Sequence, residues 1–186
     1  MSAIKNLSLK ELAVYVSTHL HRQGIPVTLV GGGCVSIYTH NQYQTGDLDF
    51  IERHYTPRTE LRAALALIGF HEKGKERYFV HPDTKYFLEF PSGPLALALG
   101  RQPVTTLHQV ETAQGTLSLL TATDCIKDRL CAYFYWNDRQ SLTQALNVAQ
   151  AHAFDLDDIK RWAEQEKQLE KFAVFEAAVL KAGEGG

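Results

Sequence analysis

Apolar residues recur at helical spacing in the first segment, where Leu9, Leu12, Ala13, Val16 and Leu20 fall on one face. Ser8 and Glu11 form the S-x-x-E pattern of a capping box, and Gly24 stands where that helix would stop. The pattern then changes. "IPVTLV" is a β-branched, unbroken run of the buried-strand type, and it leads into Gly31, Gly32 and Gly33. "CVSIYTHNQ" predicts a short helix or helical turn, which gives strand, glycine turn, helix.

"DLDFIE" reads as a second strand, with Asp47 and Asp49 on one face and Leu48 and Phe50 on the other. Residues 57 to 68 predict a helix with Pro57 near its first turn and Gly69 at its end. Strand patterns follow in "RYFVH", "KYFLEF", "TTLHQVET" and "TLSLLT", the last two joined as a hairpin through Ala113, Gln114 and Gly115. From Thr121 the period becomes helical. Thr121 with Asp124 resembles another capping box, Ile126, Leu130 and Phe134 lie four apart, and Leu142, Ala145, Leu146 and Ala149 continue the pattern. Asp155 or Asp157 would cap one last helix carrying Ile159, Trp162 and Leu169, with "EQEKQLEK" as its solvated face. The pattern thus predicts an α+β fold: a mixed β-sheet flanked by helices over residues 1–120, and a C-terminal helical portion over 121–186 packed on that core.

Composition narrows the classes. The chain has 186 residues, 45% of them hydrophobic, enough for a real core and against disorder. A net charge of -2 gives no overall basic footprint for a long nucleic acid. Cys34, Cys125 and Cys131 are odd in number and lack C-x-x-C spacing, which argues against a disulfide framework or structural zinc and for a reducing compartment. The polar first residues do not form a signal peptide, and no window approaches the ~20 apolar residues of a membrane span, so a soluble, cytoplasmic protein is expected.

The candidate chemistry centres on the glycines and the acids. Two carboxylates one residue apart on a strand sit ~7 Å apart along the backbone and can converge on a hard cation such as Mg2+. A second metal ~3.5–4 Å away needs a further carboxylate from a neighbouring strand. Glu89 is the best placed, because it interrupts the apolar run of Tyr86, Phe87, Leu88 and Phe90, where a charge is costly unless metal-bound or paired with a Lys or Arg. Asp83 and Glu52 have ordinary solvated explanations. Gly31, Gly32 and Gly33 lack Cβ atoms, which lets a phosphate approach amides at a helix amino terminus, although neither the G-x-G-x-x-G nor the G-K-[ST] pattern is present.

Taken together, "VGGGCVSIY", "TGDLDF" and the lone acid of "FLEF" resemble the polymerase-β-like nucleotidyltransferase superfamily over roughly residues 25 to 135. Within it, the chain looks most like AbiEii-type toxin nucleotidyltransferases and their uncharacterised bacterial relatives. The resemblance implies that Gly31, Gly32 and Gly33 contact an NTP's triphosphate, and that Asp47 and Asp49 hold magnesium. It also implies that Glu89 is the third carboxylate and helps to deprotonate an attacking hydroxyl. "TATDCIKDRLCAY" resembles a family segment facing the nucleotide, which makes Lys127 a candidate triphosphate contact and Asp124 a weaker supporting one. Toxin members usually continue with a Lys-Asp pair, whereas this chain reads "WNDRQSLTQAL", and Gly33 stands where serine is common.

The expected activity is transfer of a nucleoside monophosphate from an NTP to a hydroxyl on a small molecule, a protein side chain or an RNA end. The alternatives are a non-catalytic binding or antitoxin-like module of the same fold, and a metal-dependent phosphoesterase. Other residue groups have simpler explanations. The eight histidines form no H-x-x-x-H pattern, and Cys34 has no evident base. The aromatic run Tyr133 to Trp136 could stack a base, and Arg129 and Arg139 could pair with phosphate, but Phe134 fits the core period and core packing with surface salt bridges explains the group more simply.

Overall fold

A computed structural model describes residues 4–74, 78–91, 93, 95–97 and 102–183. Arg77 of the expected strand "RYFVH" and the last three residues of the tail "GEGG" lie outside them. Helix α1 (Leu9–Arg22) carries the expected capping box: the Ser8 hydroxyl accepts from the Glu11 amide, and the Glu11 carboxylate accepts from the Ser8 amide at 2.8 Å. Gly24, at φ +79°, ends it, with its own amide bonded to His21 and the Ile25 amide to Leu20, the paired bonds of a Schellman motif.

The main sheet has seven strands: β1 (Val27–Val30), β2 (Asp47–Glu52), β3 (His71–Glu72), β4 (Tyr78–Val80), β5 (Phe87–Glu89), β8 (Leu107–Thr112) and β9 (Gly115–Leu120). Their order is β3-β4-β5-β2-β1-β9-β8. Strand β1 runs antiparallel to β2 and parallel to β9, while β2 runs parallel to β5, so the sheet is mixed. Two short strands, β6 (Ala96–Leu97) and β7 (Gln102–Pro103), pair separately. The fold is thus α+β, as the pattern predicts.

The hairpin between β8 and β9 is tighter than expected, since Thr112 pairs with Gly115 and only Ala113 and Gln114 turn. Strand β2 is locked in register by its buried side, where Leu48 and Phe50 are wholly inaccessible while Asp47 and Asp49 are partly open. A slip of one residue would exchange the two sets, forfeiting ~1.5–3 kcal/mol for each of the two apolar side chains.

Helix α2 (Gly31–Tyr38) corrects the expected glycine turn: the three glycines are themselves the first turn of the helix, capped by Val30 with no side-chain bond. Helix α3 (Arg58–Ala66) follows β2. Beyond β9, α4 (Ala122–Trp136), capped by the Thr121 hydroxyl, packs on α5 (Arg139–Ala151), capped by Asp138. The expected last helix is two, α6 (Leu156–Gln165) behind the Asp155 cap and α7 (Leu169–Gly183). Lys167 stands between them at φ +58°, so "EQEKQLEK" is a helix break and not one continuous face. A single cluster of buried apolar side chains runs from Ile4 in front of α1, through the sheet, to Trp162 and Phe175 of the C-terminal helices. Among the described residues no helix is long and apolar enough to cross a membrane.

Candidate metal centre

Three carboxylates converge where β2 begins. Asp47 and Asp49 share a face of that strand, and the parallel register sets Asp49 directly beside Glu89 on β5. One carboxylate oxygen from each of Asp47, Asp49 and Glu89 lies within 4.8 Å of the others. Among the described residues no Lys or Arg forms an ion pair with Glu89, so the salt-bridge explanation for its charge has no support there. The two weaker acidic candidates stand apart. Glu52 lies at the far end of β2 on the opposite side of the pleat, and Asp83 sits in an exposed turn where its amide bonds His81.

Asp49 is the most perturbed of the three. Burial, then the negative charges of Asp47 and Glu89, raise its pKa to about 7, with Arg129 acting in the opposite direction. An all-oxygen cluster that repels itself in this way suits a hard divalent cation, which would remove the repulsion and restore the ionised form. Asp47, Asp49 and Glu89 are the residues able to hold it.

The glycines interlock with this strand one by one. Gly31 has φ +64°, and a Cβ there would come 2.4 Å from Asp49 Oδ2. A Cβ on Gly32 would meet Thr45 Oγ1 at 3.3 Å, and one on Gly33 would meet Leu48 Cδ2 at 3.1 Å and Leu29 Cδ1 at 3.2 Å. Their smallness thus serves the approach of α2 to β2, and it leaves the amides of the first helical turn next to the carboxylates.

Lys127 is not brought into the carboxylate cluster by any contact observed. It is buried on α4, with its ammonium 2.6 Å from Asp158 of α6 and 3.8 Å from Asp124. The residue that sequence patterning passes over is Asp128, the partner in the salt bridge expected of Arg129. Arg129 pairs with Asp128 at 2.6 Å and lies 3.4 Å from Gln144 of α5. Burial opposes its charge, but Asp128 beside it outweighs this and keeps the guanidinium above its ordinary range. Its interaction with Asp49 could not be seen from helix period alone, since it joins residues of α4 and β2 that lie far apart in the chain.

Cys34 is a packing residue, as expected: burial and then neighbouring Cys125 push its thiol well above the ordinary range, leaving little thiolate. Of the aromatic run, Tyr133 and Phe134 are buried as packing predicts, whereas Trp136 is exposed. Phe134 stacks on Trp162 with centroids 5.2 Å apart, and Tyr135 donates to Glu166.

No family model matches the chain, and no curated protein matches it. Solved structures are similar to it, two of them of ANT(2'')-Ia. One is the crystal structure of ANT(2")-Ia in complex with adenylyl-2"-tobramycin, at 16% identity over 90% of this chain and 94% of that one, with a TM-score of 0.45. The other is the solution structure of the antibiotic-resistance factor ANT(2'')-Ia, at 16% identity over 90% and 92%, with a TM-score of 0.43. At these scores neither likeness bears on the site, which stands on its own geometry.

Proposed function

We propose that the protein is a magnesium-dependent nucleotidyltransferase of the polymerase-β-like type, moving a nucleoside monophosphate from an NTP to a hydroxyl acceptor. The observation that carries this is the convergence of Asp47, Asp49 and Glu89 beside the first turn of α2. The motif resemblance of "VGGGCVSIY" and "TGDLDF" supports it independently, and the narrower AbiEii-type grouping rests on that resemblance alone.

In the proposed reaction the acceptor oxygen forms a bond to the α-phosphorus as the bond to the pyrophosphate oxygen breaks. Bound magnesium would neutralise the negative charge that develops on the phosphate oxygens. Asp47 and Asp49 would hold and orient it. Glu89, beside Asp49, takes the hydroxyl proton. The amides of Gly31, Gly32 and Gly33 face the triphosphate, where the positive end of α2 favours anions. Lys127 enters as a triphosphate cation only by exchanging Asp158 for phosphate. The three free cysteines favour a reducing, cytoplasmic setting.

Calorimetry with Mg2+ and each NTP tests this. Magnesium-dependent binding that is lost in Asp47→Asn and Asp49→Asn is the expected result. Absence of NTP binding by the intact protein overturns it, and release of inorganic phosphate from labelled NTP without transfer favours the phosphoesterase alternative.

A further inference from the structure

We propose that Thr45 is the positioning residue of the carboxylate cluster, its hydroxyl holding Asp47 toward Asp49 and Glu89. This role presupposes the metal-centre assignment above. It begins with an asymmetry in how the two aspartates are held. Asp49 is paired on both sides, to Val30 of β1 and to Glu89 of β5. Asp47, the first residue of β2, pairs with Phe87 alone, because the β1 pairing stops at Asp49. Its carboxylate also faces two others that repel it, so an untethered side chain would turn toward water when no cation is bound.

Thr45 supplies the tether. Its hydroxyl donates to Asp47 Oδ1, and its oxygen accepts from the Asp47 amide at 3.4 Å. Backbone and side chain of Asp47 are thereby held by one neutral group. The bond engages Oδ1 and leaves Oδ2 without it, and a hydroxyl bonded to an ionised carboxylate is among the stronger hydrogen bonds. No charge is added to the cluster, as a lysine would add.

Gly32 lies beside Thr45. Its φ lies outside the left-handed region that Gly31 occupies, so its backbone would accept a side chain. An added Cβ would press on the Thr45 hydroxyl, with Oγ1 at 3.3 Å, while Thr45 Cβ at 3.4 Å and Tyr43 Cε1 at 3.5 Å would be in ordinary contact.

The test is Mn2+ binding by the metal-free protein, followed by electron paramagnetic resonance, alongside thermal unfolding by circular dichroism. Thr45→Val keeps the shape and removes the donor, and is expected to weaken Mn2+ binding by roughly 10- to 100-fold, as loss of a group orienting a metal ligand does. Thr45→Ser restores the hydroxyl and is expected to bind like the unaltered protein. Thr45→Ala carries the same comparison if Thr45→Val does not fold. Unchanged affinity in the folded Val or Ala variant, or equal loss in Thr45→Ser, overturns the role of the hydroxyl while leaving the metal centre standing. Failure of the unaltered protein to bind Mn2+ overturns both.

Discussion

Asp49 concentrates the conflict between folding and chemistry in one side chain. Its pKa of about 7 in the folded protein lies above the ordinary 3.8, so the folded state binds a proton more tightly than the unfolded chain. Stability of the metal-free protein should therefore fall as pH rises from about 4 to about 7, and stay low above that. Asp49→Asn, which removes the charge at nearly constant shape, is expected to stabilise the metal-free protein at pH 8 by on the order of 2 kcal/mol in urea unfolding. It should have little effect at pH 3, below the unfolded pKa. Mn2+ affinity of the unaltered protein should rise with pH up to about 7 and then level off, because the cation takes the ionised form. The two aspartates and the glutamate were legible in sequence, by alternation and by an acid set in an apolar run. The glycine contacts were not, because a Cβ that would strike Asp49 Oδ2 is a distance between two elements.

Helix ends show the same division one level up. Gly24 and Lys167 occupy equivalent places in two Schellman motifs: the Gln168 amide bonds Ala163 at 2.8 Å and the Lys167 amide bonds Glu164 at 3.0 Å, matching the bonds after α1. A glycine announces the first stop, and a lysine at φ +58° conceals the second. The chain pattern therefore runs one helix through both α6 and α7. Lys167→Gly should relieve the left-handed strain and raise stability by about 1 kcal/mol, read as a higher urea midpoint with an unchanged slope. The hairpin, by contrast, was legible because alternating strands flanked turn residues, and only the position of Gly115 shifted, from turn to strand.

For the whole molecule, the packing of the C-terminal helices on one another involves Lys127. Its buried ammonium ties α4 to α6 through Asp158, a half-exposed carboxylate that also faces Arg161 at 3.5 Å. Removing one partner of a fully buried pair costs several kcal/mol, and the solvent at Asp158 reduces that. Lys127→Met is thus expected to lose on the order of 2 kcal/mol of stability in urea unfolding. Stability unchanged with NTP affinity reduced would make Lys127 a nucleotide contact and not a structural tie. The apolar cluster is continuous across residue 120, so the change of hydrophobic period there marks a change of element type within one shared core.

Sequence alone was enough for the longer strands and helices, the face of β2 that carries Asp47 and Asp49, and the acid of β5 most in need of a partner, but not for the short strands β3, β6 and β7 or the break between α6 and α7. Local periodicity, caps and burial cost act within a few residues of chain and can be read there. Tertiary structure alone decided that Glu89 stands beside Asp49, that the glycines begin a helix pressed onto β2, and that Lys127 faces Asp158. Strand order and helix crossing depend on residues far apart in the chain, and no local spacing encodes them.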